Sequence, residues 1–211
     1  YIYIQDSGKQ TITTKGMKAE IRCVEKNAFR TVVEICHEMM IPSGMGEELQ
    51  RQREMCIDPY TRVANRSKEL VPMEVKTVLT LEKSGKGLHV ATTICNQAKD
   101  HRVRVVMPTG LNTSTHLADS AFEVVKRNNR HNDTWTNPCG CERQQCFAAM
   151  EDETNGLLVA NRGLYEYEVL ADEEHAIAVT LLRSVAEMGD WGYFPTPKAQ
   201  QSGTFTLEFE V

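Results

Sequence analysis

Alternation with a period of two runs through most of this chain and restricts it to sheet. Phe29, Thr31, Val33, Ile35, His37, Met39 and Ile41 share one parity, with Arg30, Glu34 and Glu38 on the other. Val71, Met73, Val75, Thr77, Leu79 and Leu81 repeat the pattern against Glu74, Lys76 and Glu82. Leu88, Val90, Thr92 and Ile94 follow, then Val103, Val105 and Met107 against Arg102 and Arg104. Tyr165, Tyr167 and Val169, then Ile177, Val179 and Leu181, and finally Phe205, Leu207 and Phe209 complete the series. Successive side chains of an extended segment point to opposite faces, so each run has one apolar side and one wet side. Antiparallel sheets with a single buried face show this pattern; parallel strands, covered on both faces, do not. The expected fold class is therefore all-β, a large antiparallel β-sandwich. Shared parity predicts burial of Val71, Val75, Leu79, Val103, Val105, Ile177, Val179, Phe205 and Leu207.

Turn chemistry punctuates the strands. Ser84-Gly85-Lys86-Gly87 lies between two strong runs as a hairpin, and Pro108-Thr109-Gly110 ends another. Only Gly46 to Met55 has helix-forming composition, with Glu47 and Arg51 spaced to pair at i,i+4. It has almost no apolar stripe, so a solvated loop or a single helical turn fits equally. Lys126 to Arg143 and Gly189 to Pro197 are polar and irregular, as functional or poorly ordered loops are.

Charge and composition exclude several classes. The 211 residues carry 24 Lys+Arg against 29 Asp+Glu, and the basic residues are scattered, so no nucleic-acid surface is expected. No apolar run reaches the roughly 18 residues of a membrane span, and no signal peptide is visible. The chain opens at Tyr1 and closes at Val211 inside strand-like runs, and both ends are expected to be cuts through a longer protein. Seven cysteines, an odd number, favour reduced thiols and a cytoplasmic location.

Each candidate for chemistry has a plain counterpart. Cys139-Gly140-Cys141 with Cys146 could supply thiolates, but structural zinc favours paired CxxC units and four ligands, so loop cysteines without metal are expected. His131-Asn132-Asp133 has the HxD spacing of a metal pair, yet alternate residues share a face only in an extended segment, and this one lies in an Asn-rich loop. His37 falls on the apolar parity, where a hydrogen-bonded core histidine is expected. No phosphate loop, GxSxG elbow or HExxH occurs, and no carboxylate pair has the spacing of an acid and a nucleophile. The turn Asn161-Arg162-Gly163 presents Arg162 as the residue most suited to touch a ligand, since a guanidinium fork matches sugar hydroxyls or a phosphate.

Longer blocks carry more than periodicity. Asn96 to Gly110, NQAKDHRVRVVMPTG, resembles the N-x-A-K-D-H-R-L-R-V-x-F-P-T segment of family 38 glycoside hydrolases, the α-mannosidases. Ala118 to Arg127, ADSAFEVVKR, resembles that family's A-D-S-x-F-E-V-V-x-R strand. GLLVANRGLYEYE at 156–168 and TLLRSV at 180–185 are similar to its G-x-x-V-A-N-x-G-L-x-E-Y-E and T-L-L-R-S-V, and GDWGYFPTPKAQ at 189–200 is closest to the bacterial and cytosolic branch. The blocks keep the family's order from about residue 20 to the end.

The resemblance implies that residues 1–211 are the C-terminal β region of a longer enzyme, a galactose-mutarotase-like super-sandwich. The catalytic α/β domain and a helical bundle would then lie outside the chain. It implies a retaining α-mannosidase acting on mannose-containing carbohydrate, with zinc and both carboxylates in the missing catalytic part. No catalytic residue, metal ligand or cofactor is expected in this chain, and alone it is expected to be inactive. His131-Asn132-Asp133 echoes the family's H-x-D zinc motif at the wrong place in the order, so that role is not transferred. The partners implied are the sugar and the missing catalytic domain, with no nucleic acid and no membrane, and homo-oligomerisation compatible. An independent carbohydrate-binding or interaction module is the alternative. Tyr165 and Tyr167, on the parity of Val169, are expected in the core, which argues against an exposed aromatic platform.

Overall fold

Strands form where the alternation is strongest. The computed structural model describes residues 11–58, 61–62, 66–130, 134, 140–170, 175–188 and 194–211. In chain order the strands are β1 (Glu20–Lys26), β2 (Arg30–Pro42), β3 (Leu70–Glu82), β4 (Leu88–Asn96), β5 (Arg102–Met107), β6 (Thr115–Asp119), β7 (Val124–Asn128) and β8 (Cys141–Arg143). They continue as β9 (Phe147–Glu151), β10 (Gly156–Asn161), β11 (Glu166–Val169), β12 (Ile177–Arg183), β13 (Glu187–Met188), β14 (Phe194–Pro195) and β15 (Gly203–Glu210). One α-helix, α1 (Glu47–Glu54), and a single 3-10 turn at Pro197–Ala199 complete the set among the described residues. The α-helix makes two turns where the sequence suggested a loop or one. Buried Leu49 anchors it, and Arg51 pairs with Glu48 at 2.7 Å rather than with Glu47.

The strands build two facing sheets of unequal width. A nine-stranded sheet runs β1-β2-β3-β4-β15-β10-β9-β6-β7, and a four-stranded sheet runs β5-β12-β11-β8. Every pairing is antiparallel, and β13 with β14 forms a separate small ribbon. Register confirms the parity argument. Val33 faces Leu79, Leu79 faces Val90, and Val90 faces Phe209, so one apolar face crosses four strands.

The four-stranded sheet packs on that face, and the core cluster extends to Met39 and Ile41 of β2 and Met73 of β3 at one end. Ile94, Ala118, Ala148, Val159, Tyr167, Ile177 and Val179 are fully buried there. Of the set that parity predicted to be buried, Ile177 and Val179 are fully enclosed. The other seven are half-buried, and all of them but Phe205 pack against the core cluster. The cover runs out toward β1: Ile21 is 65% exposed and Leu81 55%, although both belong to the apolar face. Phe29, which parity grouped with this face, sits at the β1–β2 turn and is exposed.

The chain passes from the large sheet to the small one in the segment NQAKDHR. Asn96, buried, donates from Nδ2 to the carbonyls of Ala98 (3.0 Å) and Gln201 (2.5 Å), and its Oδ1 accepts the Ala98 N–H (3.1 Å). Asp100 takes a left-handed φ of 53°, which Asn and Asp tolerate better than most residues. Gln200 holds it on both sides, donating to Asp100 Oδ1 at 2.6 Å and accepting its N–H at 3.1 Å. The polar residues of this block fix a change of sheet.

Candidate functional site

Asn161-Arg162-Gly163 forms a clamped turn at the end of β10. Gly163 has φ +88°, a conformation that costs glycine little. Asn161 Oδ1 accepts the Leu164 N–H at 3.0 Å, and the Asn161 N–H donates to the Cys146 carbonyl at 2.7 Å. Leu164 is buried, so the turn is anchored while Arg162 stays exposed.

Two other turns join it. The Gln144 N–H donates to the Tyr165 carbonyl and its Nε2 to the Leu164 carbonyl, both at 2.9 Å. Asp119, at the end of β6, accepts the Cys146 N–H on Oδ2 at 3.1 Å and the Gln145 N–H on its carbonyl at 3.0 Å. The β6–β7 turn is closed by the Ser120 N–H donating to the Glu123 carbonyl at 3.0 Å. Three connections, 120–123, 144–146 and 162–165, are thereby knit into one end of the sandwich. Electrostatics agree with this proximity. Asp119 pushes the Cys146 thiol up, first through a hydrogen bond and also through its charge, with burial adding, while the Arg162 guanidinium opposes it.

The surface of this end combines a cation with exposed rings. Phe122 is 101% exposed and Tyr165 63%. The core position expected for Tyr165 is corrected here: β11 begins at Glu166, so Tyr165 belongs to the turn, whereas Tyr167 and Val169 do enter the core. Such a surface can donate hydrogen bonds to hydroxyl or anionic oxygens and stack on a sugar ring. A retaining glycosidase uses two carboxyls about 5 Å apart. Asp119 is already committed to backbone N–H groups.

Other polar clusters are committed to structure. On the outer face of the four-stranded sheet, Glu166 accepts from Arg102, Arg183 and Thr180, and Glu168 from Arg104 at 2.5 Å. Cys141 lies in this lattice, 2.7 Å from Arg102 Nη1. Cys146 lies outside it, in the bend that leads into β9. Among the described residues, no group of three His, Cys, Asp or Glu side chains is arranged to hold a metal. His101, in the change of sheet, is held below the usual histidine range chiefly by burial. His131, Asp133 and Cys139, and most of the 189–197 loop, lie outside the described residues.

Sequence reasoning missed one network. His116 is buried, with Nδ1 2.8 Å from Asn129 Oδ1 and Nε2 2.7 Å from Tyr167 Oη. Arg127 donates to Tyr167 Oη at 2.8 Å and pairs with Glu142 at 2.8 Å. The hydrogen-bonded core histidine expected at His37 is therefore His116, while His37 is half-buried on the apolar face. Single-residue parity in the short strand β6 carried no signal for it.

Comparison with known proteins adds an independent line. The model of "Glycosyl hydrolases family 38 C-terminal domain" matches residues 1–191. A Halalkalibacterium halodurans protein named "Putative mannosylglycerate hydrolase" is 40% identical over 209 residues, 99% of this chain and 23% of its own length. The crystal structure of an alpha-mannosidase from Enterococcus faecalis V583 superposes with TM-score 0.93 at 43% identity, covering all of this chain and 24% of that one. A family 38 glycosyl hydrolase from Enterococcus faecalis gives 0.90 at 41% identity, with 99% and 24% covered. The chain thus spans about a quarter of the length of these relatives.

Proposed function

The chain belongs to family 38 of the glycosyl hydrolases, as their C-terminal domain, and from that premise we propose that it is the non-catalytic β-sandwich of a retaining, zinc-dependent α-mannosidase. The observation that carries the reading is the Arg162 turn: an exposed guanidinium on three interlocked connections, beside an Asp119 carboxylate that already accepts a backbone N–H. Zinc, the nucleophile and the acid/base carboxyl are assigned to the part of the longer protein outside this chain. Arg162 would reach the bound sugar and orient it. The relatives' names point to α-mannosides. A mannosylglycerate would add a carboxylate, which a guanidinium fork matches in two parallel hydrogen bonds. A cytoplasmic location fits the free thiols of Cys23, Cys36, Cys56, Cys95, Cys141 and Cys146.

An activated aryl α-mannoside, assayed with and without added zinc, tests this. The 211-residue chain should release nothing, and the longer polypeptide should turn over with retention. Zinc-dependent turnover by the short chain would overturn the assignment, with His131 and Asp133 the first residues to substitute. In the longer polypeptide, Arg162→Ala should lower kcat/KM by about 10- to 100-fold, the loss of one charge-assisted hydrogen bond. Unchanged turnover and substrate affinity would remove Arg162 from the site. The exposed rings of Phe122 and Tyr165 favour a second reading, an independent carbohydrate-binding module. Calorimetric binding of mannose oligosaccharides to the isolated chain would support that reading instead.

A further inference from the structure

We propose that the outer face around Phe122 is the surface on which this domain seats against the catalytic part of the same, longer polypeptide. The proposal rests on the preceding reading in that such a part exists and that Arg162 faces it. Register puts the residues of this face side by side: Val124 opposite Asp119, Leu117 opposite Ala149, and Ala149 opposite Leu158. Phe122 is fully exposed, Val124 52% and Leu158 46%, with Tyr165 on the adjoining turn at 63%. The middle of the same face is polar, with Lys76 paired to Glu34 at 2.5 Å and Thr93 bonded to Thr206 at 2.9 Å, and Met40 and Leu70 form a second exposed apolar group at the far end of β2 and β3. Of the two exposed apolar groups on this face, the one where the Arg162 turn meets it is the one that carries exposed rings, Phe122 and Tyr165.

Free energy and geometry both point to a partner. Leaving a phenylalanine ring in water forgoes the free energy that burial would yield, and exposed apolar surface of this kind marks an interaction site. Phe122 occupies a corner of the turn closed by Ser120 and Glu123, and the neighbouring turns are tied to Asp119. The ring is thus presented on a backbone already ordered, which lowers the entropic cost of docking.

The relatives say where the partner comes from. This chain covers 23–24% of their length, so about three quarters of such a polypeptide lies outside it. If Arg162 meets a sugar bound elsewhere in that polypeptide, the surface beside Arg162 must face it. The uncovered strip near Ile21 and Leu81, in contrast, continues the inner apolar face and lies away from the Arg162 turn.

Hydroxyl-radical footprinting of the 211-residue chain and of the longer polypeptide tests the proposal. Oxidation of Phe122 and Tyr165 should fall by roughly fivefold or more in the longer polypeptide, as for residues entering the core of an interface. Equal rates in both would overturn it. Protection already present in the short chain, together with a dimer by sedimentation, would assign the face to a second copy and also overturn it. Footprinting does not depend on activity, so the two readings fail separately. A longer polypeptide that protects Phe122 but cleaves another glycoside sinks the mannosidase reading alone, and a mannosidase with Phe122 still reactive sinks the docking surface alone.

Discussion

Tyr167 shows how one buried polar residue ties the two sheets. Asn129 Nδ2 donates to the Thr113 carbonyl at 2.6 Å, so Asn129 Oδ1 is an acceptor and His116 Nδ1 carries the hydrogen that meets it. In the neutral ring Nε2 is then free to accept the Tyr167 O–H, while Tyr167 Oη accepts from Arg127. Tyr167→Phe keeps the ring and leaves the His116 and Arg127 groups without this partner, so it should cost about 1–3 kcal/mol in urea unfolding. Burial, offset by Arg127, also pushes the Tyr167 phenol up from 10.0 to about 12. Between those values the unfolded chain has lost the proton and the folded chain keeps it, so stability falls as pH rises. The contribution should be about 1.4 kcal/mol per pH unit in that window, and it should be missing from Tyr167→Phe. Equal alkaline slopes in the two proteins would contradict this assignment. At the Arg162 turn, Gly163→Ala places a Cβ at φ +88° and should cost about 1–2 kcal/mol, read as a lower melting temperature.

Among the elements, β12 is buried on both faces, although its sequence reads like its half-wet neighbours. Ile177 and Val179 face the large sheet, while Ala178 and Thr180 lie under the Arg102–Glu166–Arg183 and Arg104–Glu168 lattice. The charged side chains act through their stems as well as their heads, since long Arg side chains cover apolar surface while keeping the guanidinium wet. Gly140 belongs to the same arrangement: a Cβ there would come within 2.7 Å of Glu168 Oε1. Ile177→Ala should therefore cost about 2–5 kcal/mol, as cavity-forming changes in a tight core do. Ile21→Ala, on exposed β1, should stay within about 0.5 kcal/mol. Similar losses at the two sites would mean that the covered and uncovered parts of the apolar face do not differ.

For the whole molecule, the mismatch between nine strands and four decides where stability lies. Amide protection should be greatest in β12 and β4, inside the covered region, and least in β1, whose side chains are nearly all exposed. Backbone hydrogen bonds open most readily where few buried apolar contacts hold them, so hydrogen exchange should spread inward from β1 through β2. Uniform protection across the large sheet would contradict this. In a longer polypeptide that covered the strip near Ile21 and Leu81, β1 would gain protection.

Sheet, its antiparallel pairing and the identity of the apolar face were legible in the sequence, because a period of two survives any register that keeps one face buried. The family blocks were legible too, and the structure supplies their reasons: NQAKDHR fixes a change of sheet, and ANRGL fixes a clamped turn. What the sequence did not determine is how far the apolar face is covered. Leu79 and Ile177 read alike in one dimension, yet one is half-buried and the other enclosed, because cover depends on the width of the opposing sheet. Nor could it distinguish Tyr165 from Tyr167, which differ only in whether the strand has begun. The role of His116 and the meeting of Asp119, Gln144 and Arg162 depend on residues far apart in sequence. Only the tertiary structure brings those together, since hydrogen bonds between distant turns leave no periodic trace in the chain.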